Sequence, residues 1–198
     1  DGKDGEEFIA KLIDTIIGIS NESVVRGTYE IIVSDCIDVG KYIWNNYRNR
    51  YNNDDSECHG VKHLREVMLT SFKLCIEYRN RIDTVSLKEA LLMSTIVSIV
   101  HDSYSYTDRD NHHEVAAMDL LEYLKNEEVN NFISKKFTDI SMDNKFIDIV
   151  CSMVYEHRAS YNHNFSHVMC ELFSAADRGI PNFDSMFKRT LSFNKLNT

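Results

Sequence analysis

The stretch Ser86–Asp102, SLKEALLMSTIVSIVHD, decides the fold class. Ser86 followed three residues later by Glu89 is a capping-box pattern. The serine oxygen can accept from the N–H of Glu89 and the glutamate can reach back to the N–H of Ser86, so two donors that a helix start leaves unpaired are satisfied. From Ala90 to Val100 the chain is apolar on every side apart from Ser94, Thr95 and Ser98, which reads as a buried helix. It is too short to cross a bilayer, which takes about 20 apolar residues. It ends near His101–Asp102, a pair of polar residues at the end of an apolar rod.

Outward from this helix the periodicity stays helical. EEFIAKLIDTIIGI places Phe8, Leu12, Ile13, Ile16 and Ile17 on one face, and a second helix is expected from Glu22 to about Tyr47. YRNRYNNDDSECHG is polar and aperiodic and reads as a loop that presents His59 to a helix of roughly Val61 to Arg79. Beyond the loop SYSYTDRDN, Asp110 or Asn111 can cap HHEVAAMDLLEYL, with Val115, Met118, Leu121 and Leu124 expected on its inner face. Further helices are expected at about Met142 to Arg158, Phe165 to Asp177 and Phe183 to Phe193, with Gly179 and Pro181 as a stop after Asp177. No internal repeat or linker stands out, so residues 1–198 read as one all-α domain in which N-terminal helices, residues 1–50, pack on a core of residues 59–190.

Composition agrees. Seven Gly and one Pro in 198 residues leave few turn breakers, and 43% apolar with 27% charged residues is ordinary for a globular protein. The five cysteines are odd in number and never paired as C-x-x-C, so neither a disulfide framework nor a zinc ribbon is indicated and reduced thiols are expected. No signal-peptide pattern is visible, and a cytoplasmic location away from membranes is expected. A formal charge of −9 argues against duplex nucleic acid as a partner, because such binding needs Lys and Arg to neutralise phosphates. Small phosphorylated molecules are still admitted, since bound divalent ions would dominate the local field. A homo-oligomer is compatible with this surface.

All eight histidines lie between residues 59 and 167. His59 and His63 in HGVKHLREV are four apart and share a face if the helix begins early enough. His101–Asp102 closes the buried helix, and Asp177 in AADRG ends a turn that is otherwise small and apolar. Two imidazoles and two carboxylates suit a hard or borderline divalent ion such as Mn, Fe, Co, Ni, Zn or Mg. Such an ion can polarise a phosphate oxygen and acidify bound water to a hydroxide nucleophile.

The ordered set of a His, a His-Asp dipeptide after an apolar helix and a distant Asp resembles the HD-domain superfamily of metal-dependent phosphohydrolases. The likeness covers about residues 59 to 190. It implies a compact helical bundle in which His63, His101, Asp102 and Asp177 hold a divalent ion, with Asp102 also at the centre of catalysis. In some members two further histidines bind a second ion bridged by the Asp. His113 and His157 look like those positions here, although the gap from Asp102 to His113 is short. His112, beside His113, is expected to be exposed. His59 resembles the histidine that protonates a leaving oxygen in members related to cyclic-nucleotide phosphodiesterases and nucleotide pyrophosphohydrolases.

Anionic substrates need fixed donors, and Arg158 and Arg178 adjoin proposed site residues. Tyr104, in the loop after the metal pair, can shape a base or sugar pocket. Glu114 and Glu156 read as a solvated helix face. The leading function is therefore hydrolysis of a nucleotide or other small phosphate ester or anhydride by metal-bound hydroxide. Alternatives are a cyclic-nucleotide-type phosphodiesterase, a di-iron oxygenase of the same fold, and a non-catalytic helical binding module.

Overall fold

A computed structural model of the chain describes residues 26–51, 61–158 and 164–179. Seven α-helices and two short 3-10 turns account for their regular structure, with no strand among the described residues. The helices are α1 (Arg26–Tyr47), α2 (Val61–Glu77), α3 (Leu87–Val100), α4 (His112–Lys125), α5 (Glu127–Lys136), α6 (Asn144–Glu156) and α7 (Val168–Asp177). The expected helices at 6–19 and 183–193 lie outside the described residues. No described helix is long and apolar enough to cross a membrane.

Helix α3 is the axis of the bundle. Both arms of its capping box are formed, Glu89 N–H to Ser86 Oγ at 3.1 Å and Ser86 N–H to Glu89 Oε2 at 2.6 Å. Every residue from Ala90 to Val100 is buried. The three polar residues in this run are paired: Ser94 Oγ accepts from Ser71, and Thr95 and Ser98 donate to the carbonyls of Leu91 and Ser94. Burying these hydroxyls therefore leaves no unmade hydrogen bond to offset the gain from burying their apolar neighbours.

Helices α1, α2 and α6 pack around α3, and α7 lies across α2 and α6. Gly40 lets α1 approach closely, because a Cβ at that position would stand 3.3 Å from Ile99 Cδ1 and 3.4 Å from Thr95 Cγ2. Helix α4 pairs with α6, while α5 braces α4 and α1. The sequence reading did not include α5. Its N-cap Asn126 accepts from the N–H groups of Glu128 and Val129, and only Val129 and Ile133 are buried on its otherwise polar surface. The four described cysteines are free thiols, and burial pushes Cys36 up to about 12 and Cys75 up to about 11.

The inner face of α4 differs from the expected one. His112, Ala116, Leu120 and Leu124 are buried, whereas Val115 is 36% and Met118 71% exposed. The helix carries two apolar stripes, and packing against α6 selects the one with four-residue spacing.

The tetrapeptide YRNR occurs twice, at Tyr47–Arg50 and Tyr78–Arg81, each time running into a 3-10 turn after a long helix. In each copy an arginine pairs a carbonyl near the end of the preceding helix: Arg50 Nη1 donates to Asn46 O and Arg79 Nη1 to Ile76 O. These carbonyls have no partner within a helix that stops, so the guanidinium acts as a C-terminal cap.

Candidate metal centre

The end of α3 places His101 and Asp102 at the middle of a cluster built from five segments. His63 comes from the first turn of α2, His112 from the first position of α4, His157 from the residue after α6 and Asp177 from the last position of α7. Two ligand sets share Asp102: His63, His101, Asp102 and Asp177 form one, and Asp102, His112 and His157 the other, with the donor atoms of each set within 4.8 Å of one another.

Asp102 divides its oxygens between the sets. Oδ2 lies 3.5 Å from His63 Nε2 and 3.4 Å from His101 Nε2, while Oδ1 lies 3.4 Å from His112 Nε2 and 3.7 Å from His157 Nε2. Asp177 Oδ1 completes the first set at 3.2 Å from His63 Nε2 and 3.3 Å from His101 Nε2. Two ligands about 2.1 Å from one ion and about 90–110° apart stand about 3.0–3.4 Å from each other, so these separations suit atoms sharing an ion.

The orientation of the rings supports the same reading. The Nδ1–H of His101 donates to the carbonyls of Val97 and Ser98, that of His112 to Arg109 and that of His157 to Val154. With Nδ1 occupied by a proton shared with the backbone, Nε2 of a neutral ring carries its lone pair toward the cluster. His101 Nε2 is fully buried and has no hydrogen-bond partner of good geometry, a costly state for a polar atom unless something else binds it. The donors present therefore fit a divalent ion. Ser174 Oγ donates to His157 O at 3.0 Å and ties α7 to the end of α6, while the ring of Phe173 packs on His101.

Without an ion, the carboxylates draw a proton onto this cluster in its place. Burial favours neutral forms, but the carboxylates of Asp102 and Asp177 outweigh it at His101 and raise its pKa well above the ordinary imidazole value. Burial is likewise outweighed at Asp102 by His101, His112 and His157, and at Asp177 by His101 and His63, so both carboxyl groups lie well below the usual range.

Several expected roles change. His112, not His113, enters the second set: the His113 ring lies against Tyr155 and His112 instead. Helix α4 starts at His112, so this residue continues the buried stripe of Ala116, Leu120 and Leu124, and the next residue is turned about 100° away. That four-residue spacing is the one local trace of the role, and it competes with the Val115–Met118 stripe on the same helix. Burial, followed by the nearby charges of Arg158, His112 and His157, depresses the His113 pKa.

Tyr104 packs on the core and its hydroxyl accepts from Arg50 Nε at 3.1 Å. Arg158 Nη1 donates to the Asp110 carbonyl, at the start of the turn that leads into α4, and Arg178 Nε donates to Ser174 O in its own helix. Glu156 is buried rather than solvated and accepts from Ser166 N–H at 3.0 Å, while Glu114 is exposed. His59 lies outside the described residues.

No family model matches the chain, and no curated protein or solved structure matches it.

Proposed function

We propose that this chain is a metal-dependent hydrolase of phosphate esters or anhydrides with an HD-type site, acting on nucleotides or similarly small phosphorylated molecules. One observation carries the reading: the two oxygens of a single buried carboxylate, Asp102, are divided between two pairs of imidazoles. A shared carboxylate suits a pair of ions a few Å apart, an arrangement that serves phosphoryl transfer because the attacking and leaving oxygens both need charge stabilisation. When bound, such ions supply Lewis acidity toward phosphate oxygens and lower the pKa of a coordinated water.

The chain's own residues do the rest. His63, His101, Asp177 and Asp102 Oδ2 would hold one ion, and His112, His157 and Asp102 Oδ1 the other. The second set offers fewer protein ligands and leaves more positions for substrate. Arg158, anchored to the loop that leads into α4, is proposed as a phosphate donor, and His59 as the acid for the leaving oxygen.

The test is a panel of nucleotides and simple phosphate esters incubated with Mn²⁺, Fe²⁺, Co²⁺, Ni²⁺, Zn²⁺ or Mg²⁺ and analysed by product identity. Ion-dependent release of phosphate or diphosphate, abolished by a chelator, is expected. No product from any substrate with any ion refutes the proposal, and oxygen consumption by a coloured, iron-loaded protein would assign an oxygenase instead.

A further inference from the structure

A buried hydroxyl in a helix most simply bonds back to the carbonyl four residues earlier, as Thr95 and Ser98 do toward Leu91 and Ser94 in α3. Ser174, fully buried in α7, does otherwise: its Oγ donates across to the carbonyl of His157 at 3.0 Å. Between Ser174 and the candidate ligand Asp177 stand two alanines. A third would serve the helix better at position 174, so the hydroxyl has its use outside α7.

That use lies at the end of α6. A helix that stops leaves the carbonyls at its end without helical partners, and His157, the C-cap of α6, is only 2% exposed. An unpaired carbonyl there would be costly, and the Ser174 hydroxyl meets it. The His157 ring turns back to the Val154 carbonyl through Nδ1, at 2.6 Å, and presents Nε2 to Asp102 Oδ1. That last contact, at 3.7 Å, is the longest of the four between Asp102 and imidazoles, the others being 3.4, 3.4 and 3.5 Å. His157 is therefore the candidate ligand whose place depends most on its own backbone.

Ser174 stands three residues before Asp177, on the same face of α7, and the Phe173 ring beside it packs on His101. Its own carbonyl accepts from Arg178, from Nε at 3.1 Å and from the backbone N–H at 3.4 Å. Just before α7 the Ser166 N–H donates to Glu156 at 3.0 Å, so the end of α6 is gripped from both ends of α7. We infer that Ser174 is a positioning residue of the candidate metal centre: by holding the His157 carbonyl it sets the His157 ring in the frame of Asp177 and joins the second ligand set to the first. The inference rests on the reading of Asp102 as the ligand shared by two ions. Ser174 belongs to neither ligand set and acts through the His157 backbone.

Ser174→Ala keeps the helix and removes the hydroxyl. Mn²⁺ binding is followed by calorimetric titration, and the binding event that disappears in His112→Ala is assigned to the second set. Ser174→Ala is expected to weaken that event about tenfold and the other by no more than about twofold. Ser71→Ala is the control. It deletes a buried hydroxyl bond between α2 and α3, Ser71 Oγ to Ser94 Oγ at 2.8 Å, about 12 Å along α2 from His63, and is expected to keep both affinities.

Wild-type affinity for the second event in Ser174→Ala overturns the proposal, as does equal weakening of both events or an equal effect of Ser71→Ala. If Ser174→Ala does not fold, Ser174→Cys, similar in volume and only a weak donor, carries the same expectation. Failure of both to fold overturns the proposal too, since Ser174 would then hold the fold rather than the site. A wild-type chain that binds two ions and hydrolyses nothing refutes the hydrolase reading alone, whereas one that binds fewer than two refutes the shared carboxylate and this proposal with it.

Discussion

Asp102 Oδ1 stands 3.4 Å from His112 Nε2, although the loop 103–111 separates the two residues along the chain. The contact makes the first residue of α4 part of the candidate metal centre and leaves its neighbour His113 against Tyr155. His112→Ala is therefore expected to lower the number of Mn²⁺ ions bound at saturation from two to one. His113→Ala is expected to keep both. Equilibrium dialysis with metal analysis decides between them, and the opposite pattern would restore His113 as the ligand.

Binding of ions to the native state alone should stabilise it. At free Mn²⁺ about 100 times its dissociation constant, one site contributes about 2.7 kcal/mol, a rise of several degrees in melting temperature for a domain of this size. Thermal unfolding with and without a chelator measures this, and a melting temperature indifferent to every divalent ion would count against a built site.

His167 caps α7 through its ring: Nδ1 accepts from the Met169 N–H at 3.1 Å, and Nε2 lies 2.6 Å from Thr84 Oγ1. The ring must be neutral to accept at Nδ1, so Nε2–H donates to Thr84. Burial and the charge of Lys145 lower its pKa, against opposing charges on Asp83 and Glu156. Because the unfolded chain takes up this proton first, the stabilisation is fully present above the ordinary value of 6.5 and is lost as pH falls from there through the lowered folded value. His167→Asn keeps an acceptor that does not titrate. In chelator, the wild type should lose more stability than the variant between neutral and mildly acidic pH, and parallel losses would remove His167 from the pH response.

Glu156 accepts the Ser166 N–H in a buried setting just before the candidate ligand His157. Glu156→Ala strips that amide of its partner and is expected to cost about 1–3 kcal/mol. Glu156→Gln retains an acceptor and should cost less. Urea unfolding of the two variants tests this ordering, and equal losses would show that the charge rather than the acceptor matters.

Much of this architecture is legible before any coordinates. Ser86, Glu89 and the all-round apolar run behind them specify α3, because capping and burial are local properties of those residues. His63, His101, Asp102 and Asp177 are legible because polar side chains of the types that can bind a metal, placed at the ends of helices, have few other reasons to be there. His112 is not, since α4 carries both Val115–Met118 and Ala116–Leu120–Leu124 as apolar stripes and only contact with α6 chooses between them. Tyr51 is hidden for a related reason: the Ile99 carbonyl that its hydroxyl meets is far along the chain, and nothing local to YRNRY points to it. Helix α5 escapes because its two buried residues, Val129 and Ile133, give too weak a periodicity against a polar background.

The shared carboxylate is tested most directly by Asp102→Ala, compared with the wild type for Mn²⁺ stoichiometry and for ion-dependent release of phosphate from the most active substrate of the panel. Two ions per wild-type chain are expected, with affinity lost at both sites and turnover abolished in the variant. An Asp102→Ala protein that keeps both ions at wild-type affinity, or that turns over at the wild-type rate, would contradict a centre organised around Asp102.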